Sequence, residues 1–180
     1  MRHSGIPSEI RNSRLKRLAT RIDELADKDE QYQRRARDIA ACRRAAAAEL
    51  HAICFAFVGT VNHMLKRGVV ALDPPEFVEA AFREEGANLL QIAIRGRILQ
   101  MEYETTGEFV STEDFRVPYT LAGSVRAFNQ ELLDKNLIEE QLLFYTIEKD
   151  RRMWRFFDPR TYRTAAFDQE YLVSLMEQLI

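Results

Sequence analysis

Residues 8–58 read SEIRNSRLKRLATRIDELADKDEQYQRRARDIAACRRAAAAELHAICFAFV, a run without glycine or proline. Those two residues are the ones that break a helix interior, so the whole stretch is free to be helical. Ser8, immediately before Glu9, supplies an N-cap. The apolar residues recur every seven positions in two columns. One column holds Leu15, Ile22, Asp29, Ala36, Arg43, Leu50 and Phe57; the other holds Leu18, Leu25, Tyr32, Ile39, Ala46 and Ile53. On a helix these columns merge into one apolar stripe. Continued without a break to residue 64, the helix would rise about 85 Å at 1.5 Å per residue. Helices in water are held mainly by packing of their apolar side. The stripe therefore predicts that something lies against it, and Leu15, Leu18, Ile22, Leu25, Tyr32 and Ile39 are its candidate partner-binding residues.

The columns beside the stripe sharpen that expectation. On one side stand Ala19, Ala26, Gln33, Ala40 and Ala47; on the other stand Arg14, Arg21, Lys28 and Arg35. A two-stranded zipper wants opposite charges on its two flanks. Here one flank is small and apolar, which widens the stripe and suits a bundle or a close antiparallel pair. Asp29 in a core column, within the polar run 27–31, marks the expected place for a break. With a turn there, residues 9–26 fold back on residues 31–48 as a helical hairpin. Without one, the arm pairs with another chain. Residues 45–61 are apolar nearly all round, which predicts deeper burial beneath a sheet.

A length of 180 residues suits a helical arm over 1–68 followed by one α+β domain over 69–180. A hydrophobic fraction of 46%, with 11 Phe and 6 Tyr, supports a packed core and argues against disorder. The net charge of −2 gives no global field that would select nucleic acid or an anionic membrane. It is unevenly spread: residues 1–68 carry 14 Lys/Arg against 8 Asp/Glu, and residues 69–180 carry 12 against 20. Cys42 and Cys54 sit twelve helical residues apart, roughly 18 Å, beyond the ~7 Å that a disulfide spans. They are expected to be reduced thiols. Met1-Arg2-His3-Ser4-Gly5 leads into no hydrophobic run, so no signal peptide is expected. Glu49, His51, Asn62 and His63 interrupt the apolar stretch 45–65, which reads as a buried helix and not a membrane span. The expected location is cytoplasmic.

Beyond Gly68, Asp73-Pro74-Pro75-Glu76 has capping-box spacing with proline at the first helical position, predicting a helix through Phe77 and Phe82 to Gly86. In residues 88–105 the apolar residues sit on even positions (Leu90, Ile92, Ile94) and then on odd ones (Leu99, Met101, Tyr103). That change of parity at Arg95-Gly96 predicts a hairpin or a bulge. Thr106-Gly107 reads as a further turn, with a third strand somewhere in 108–120 and Pro118 at an edge. Ser124 is expected to open a helix through Val125, Phe128, Leu132 and Leu133 to Asn136. Residues 142–147 and 152–157 form a second hairpin about Lys149-Asp150, pairing Glu148 with Arg151 and Tyr145 with Trp154. Both its faces are apolar, so it is expected to be central and covered on both sides. Asp168 caps a last helix with the face Leu172, Leu175, Met176 and Leu179.

The predicted class is therefore α+β: a long N-terminal helix or helical hairpin, then an antiparallel sheet domain of order α-β-β-β-α-β-β-α. Over residues 73–180 that order resembles the small chaperones of bacterial type III secretion and related regulator domains. The resemblance rests on element order alone and is an analogy of fold.

Chemical motifs are sparse. The 7 glycines are scattered, so no phosphate-binding loop or dinucleotide fingerprint occurs. His51 and Cys54 share a helix face but make only two ligands where a structural zinc needs four. Carboxylate doublets at Glu84-Glu85, Glu113-Asp114 and Glu139-Glu140 diverge on any regular element. No catalytic residue, metal ligand or cofactor is assigned. The segment Arg151-Arg152-Met153-Trp154-Arg155-Phe156-Phe157, with Arg160, Tyr162 and Arg163, interleaves cations with aromatics as nucleic-acid surfaces do. Strand alternation offers a simpler reading, with aromatics inward and arginines paired to Glu139, Glu140 or Glu148. Arg151, Arg152, Trp154 and Arg155 stand as partner-binding candidates. The functional expectation is a non-enzymatic protein-binding or assembly module, self-associating or docking a protein partner through its arm. The alternatives are a small-ligand sensor or enzyme with a pocket between sheet and helix, and nucleic-acid binding through residues 151–163.

Overall fold

The computed structural model describes residues 8–113, 115–130, 134–135, 139–149 and 151–180. It is α+β: a long N-terminal helix, a seven-stranded antiparallel sheet and a C-terminal helix. The chain divides into two compact units, Met1–Ala40 and Ala41–Ile180.

Helix α1, Ser8–Met64, runs through residues 27–31 without interruption. The hairpin alternative is thereby corrected. The polar run contains no helix breaker, and Glu30 pairs one turn onward with Arg34 at 3.0 Å, a contact that supports the helix by a few tenths of a kcal/mol. An acidic residue in an apolar column interrupts the stripe without interrupting the backbone.

The strands follow in chain order, each hydrogen-bonded to the next: β1 Ala71–Asp73, β2 Asn88–Ile94, β3 Arg97–Val110, β4 Tyr119–Phe128, β5 Glu139–Glu148, β6 Arg151–Asp158 and β7 Arg163–Ala166. Arg95 and Gly96, both at positive φ, make the tight turn that the parity change indicated. The second hairpin also has the anticipated register, with Tyr145 opposite Trp154 and Glu148 opposite Arg151. Helix α2, Gln169–Leu179, is capped by Asp168, whose carboxylate accepts from the Tyr171 amide at 2.9 Å. Its buried face includes Leu172, Leu175, Met176 and Leu179, as the spacing requires.

Four local expectations are corrected. Residues 74–86 form a loop with a single 3-10 turn, Glu79–Ala81, in place of a helix. Asp73 is committed to β1, opposite Gln91, and a residue before proline is disfavoured in the helical region, which restrains Pro74 as well. Thr106-Gly107 is not a turn, because β3 continues to Val110 across a register shift. Among the described residues no separate strand lies between Val110, the end of β3, and Tyr119, the start of β4; Pro118 precedes β4, a central strand, and its carbonyl accepts from the Ile147 amide at 2.8 Å. Ser124 lies inside β4; Leu132, Leu133 and Asn136 fall outside the described residues. Leu121 and Val125 point to the core with strand period, and their spacing matches one helical turn by coincidence. The short strands β1 and β7 carried no sequence signal.

In the second unit one face of the sheet is covered. Ala46, Leu50, Cys54 and Phe57 from α1, with the buried face of α2, pack on Leu90, Ile92, Leu99, Met101, Leu121, Leu143, Trp154 and Phe156. Burial of this order contributes about 25 cal/mol per Å² of apolar surface removed from water. Three polar bonds align α1. The Trp154 indole donates to the Ala46 carbonyl at 2.7 Å, the Tyr145 hydroxyl to Glu49 at 3.2 Å, and the Arg43 guanidinium to the Thr120 hydroxyl at 3.0 Å. Arg43 occupies an apolar column for this reason: it reaches polar groups at the sheet. Residues 45–61 are not buried all round, since Phe55 remains 58% exposed on the outer side. The other sheet face carries a smaller aromatic cluster, in which Phe115 from the 111–118 loop stacks on Phe144 at 4.5 Å and meets Tyr119 and Phe157.

Gly123 in β4 sits opposite Tyr103, and a Cβ there would lie 2.0 Å from the Glu102 carbonyl oxygen and 2.6 Å from the Tyr103 Cα. Both are backbone atoms of the paired strand and cannot rotate away. Overpacking of this kind typically costs about 1–3 kcal/mol. Gly123→Ala should therefore lower the urea midpoint by an amount worth roughly 2 kcal/mol or more; an unchanged midpoint would contradict this packing.

Candidate functional site

In the first unit, described residues 12–38 are all exposed. Leu15, Leu18, Ile22 and Leu25 each keep more than half of their surface, and Tyr32 keeps 71%. Ile39 is half-buried. These side chains share one helix face by their spacing. Arg14, Arg21, Lys28 and Arg35 follow along one edge of that face, all exposed.

The arginine–aromatic cluster is divided by strand alternation. Trp154 is 1% exposed, Phe156 and Phe157 are buried, and the Trp154 indole N–H is already used on α1. Those three rings offer no stacking platform to a base. Arg151 and Arg152 are exposed, Arg155 reaches Glu148 at 3.4 Å, and Arg160 reaches Asp158 at 3.6 Å. Glu140 pairs instead with Arg126 at 3.5 Å, and the side chain of Glu139 lies outside the described residues.

A cavity of about 530 Å³ opens within the second unit between α1, the 74–83 loop and the β2–β3 hairpin. Ala47 and His51 form its helix wall, Phe77 and Phe82 its loop wall, and Leu90 and Tyr103 its sheet wall. The loop is tied down. Arg44 bridges Glu79 at 3.2 Å and Glu84 at 3.4 Å, the Thr105 hydroxyl donates to the Glu84 carbonyl, and the Asn88 carboxamide engages both the amide and the carbonyl of Arg83. None of these groups was legible as a site, because residues 74–86 read as a helix. The repeated aromatics Phe77 and Phe82 were the available signal.

Neither cysteine is in a disulfide, and both are buried. Burial pushes the Cys54 thiol up to about 12, so it is protonated at neutral pH and is no nucleophile. Among the described residues no group of three or more His, Cys, Asp or Glu side chains gathers to hold a metal ion. By length and composition α1 is apolar enough to cross a membrane, but core helices of this kind meet the same criterion.

No known protein family matches the chain, and no curated protein or solved structure is similar to it. Its chemistry has to be read from its own residues.

Glu49 carries a perturbed carboxyl against the sheet. Burial raises it above the ordinary range, and the bond from Tyr145 offsets this in part. A raised folded value means the native state holds the proton more tightly than the unfolded chain. That contribution is full below the unfolded value, near 4.5, and is lost as pH climbs through the folded value. Glu49→Gln keeps an acceptor for Tyr145 and removes the charge. It should raise the thermal midpoint at pH 7, and the gain should vanish near pH 4, as read by calorimetry at both pH values.

Proposed function

We propose that this chain is a non-enzymatic protein-binding module whose N-terminal helical segment docks an amphipathic helix of another protein, one with acidic residues flanking its apolar seam. The supporting observation is the exposed stripe Leu15, Leu18, Ile22, Leu25 and Tyr32 on an unbroken helix. Contiguous apolar surface of that kind marks an interaction site, and helix-on-helix packing is the geometry that its seven-residue spacing fits.

Charge decides between occupants. A parallel self-pair would set Asp29 against Asp29 in the seam. An antiparallel self-pair would set the basic column Arg14, Arg21, Lys28 and Arg35 against its own copy. Like charges held face to face are repulsive, while an acidic flank would meet the basic column favourably. The small residues Ala19 and Ala26 let the partner approach closely on the other side. Arg151 and Arg152 remain secondary contact candidates, since they are exposed beside the hairpin turn. A cytoplasmic setting belongs to the same proposal, and two unpaired thiols support it.

Fluorescence anisotropy with two designed helical peptides tests the reading, one with glutamate flanks and one with lysine flanks around the same leucine seam. The glutamate peptide should bind at least tenfold more tightly, weaken with added salt, and lose binding to a Leu18→Gln/Leu25→Gln variant. Equal affinities, or a doubled mass in light scattering with neither peptide bound, would refute a partner of this chemistry.

A further inference from the structure

We infer that the cavity between α1, the 74–83 loop and the β2–β3 hairpin is a binding site for one small, uncharged, planar molecule that carries a hydrogen-bond acceptor. The site is independent of the helical stripe, and neither function requires the other.

Size comes first. About 530 Å³ falls within the range of roughly 300–1,000 Å³ typical of small-molecule pockets. The walls set the shape and polarity. Phe77, Phe82, Leu90 and Ala47 are apolar, and the ring of Tyr103 joins them from β3. Phe77 and Phe82 are only half-buried, so their surfaces are available to a flat guest.

Polar groups on the wall are nearly all committed. The His51 Nε2 meets the Pro74 carbonyl at 2.9 Å, Asn88 is spent on Arg83, and the Glu102 carboxylate accepts from Gln100. Glu76 and Arg83 are exposed to water. Glu102 is adjacent to Tyr103 on β3, so its carboxylate faces the opposite side of the sheet, and a charged guest beside Tyr103 would lose hydration without gaining a buried counter-charge, which is costly. The ligand is therefore neutral.

Tyr103 is the exception. It is 6% exposed and packs edge-on against Trp154 at 5.2 Å, yet among the described residues its hydroxyl has no hydrogen-bond partner. Nor is that oxygen sealed from solvent. Buried polar groups are almost always paired, so a donor left open on a cavity wall points to a guest or to water there. Burial pushes the phenol up to about 12, which keeps it protonated and able to donate at neutral pH. An acceptor such as a carbonyl oxygen completes it.

Two probes separate the parts of this inference on the full-length chain: coumarin, which is neutral, flat and carries a carbonyl, and naphthalene, which matches its ring size without an acceptor. Titrated into the labelled protein and followed by amide NMR, coumarin should shift Ala47, His51, Leu90 and Tyr103. It should bind about five- to tenfold more tightly than naphthalene, the factor expected of one hydrogen bond. Tyr103→Phe removes only an unpartnered hydroxyl and should erase that difference while leaving naphthalene binding unchanged. Ala81→Trp, from an exposed position on the wall, should block both probes. Equal affinities in the unmodified protein, shifts confined to other regions, or no shift up to the solubility limit of coumarin would overturn the site.

Discussion

The second unit depends on covering one side of a seven-stranded sheet. A sheet of that width presents an apolar face too large to leave wet, and here two helices share the work: the C-terminal half of α1 and the whole of α2. Apolar burial is non-directional, so it cannot by itself align α1. The bond from the Trp154 indole to the Ala46 carbonyl does, because a buried donor must find its acceptor or lose about 1–3 kcal/mol. Ala46 is fully buried and small, which lets the indole approach the helix backbone. Once α1 is fixed there, the positions of His51 against Pro74 and Arg44 against Glu79 and Glu84 follow, and with them the cavity.

How much of this the residues declare in advance depends on the range of the forces involved. The glycine-free run, the turn at Arg95-Gly96, the Lys149 hairpin and the Asp168 cap all depend on neighbours a few residues away, and these local signals agree with the fold, whereas the turn at Thr106-Gly107 does not. Ser124 opens no helix, although Val125, Phe128, Leu132 and Leu133 keep a helical spacing, because it lies inside β4. Pairing with β3 on one side and β5 on the other decides for the strand, and neither contact lies within the helical turn that the spacing describes. Asp73-Pro74-Pro75-Glu76 carries a good helix-start signature, but the pairing of Asp73 with Gln91 takes its first residue for the sheet. In both places a tertiary contact overrode a local preference, as it commonly does.

The candidate sites divide along the same line. The exposed stripe on α1 was visible as a period, since periodicity is a property of the sequence. The cavity was not, because its walls come from Ala47 and His51, from Phe77 and Phe82, and from Leu90 and Tyr103, and only the folded chain brings them together. The arginine–aromatic cluster illustrates the converse. It looked like a surface, and the fold turned Trp154 and Phe156 inward, with Arg155 reaching Glu148 and Arg151 and Arg152 left exposed.

Strands laid down in chain order also govern how the molecule is made. Each new strand closes only a short loop onto an existing edge, so the sheet can zip forward at small entropic cost. The covering helix is synthesised first but has to wait, since Ala46 and Trp154 are 108 residues apart. Leu90, Ile92, Leu99 and Met101 can cover part of the helix earlier, but until the sixth strand leaves the ribosome the Ala46 carbonyl lacks its indole partner and the sheet face is incomplete. That interval is when the nascent chain is most exposed to aggregation and most in need of a holding factor.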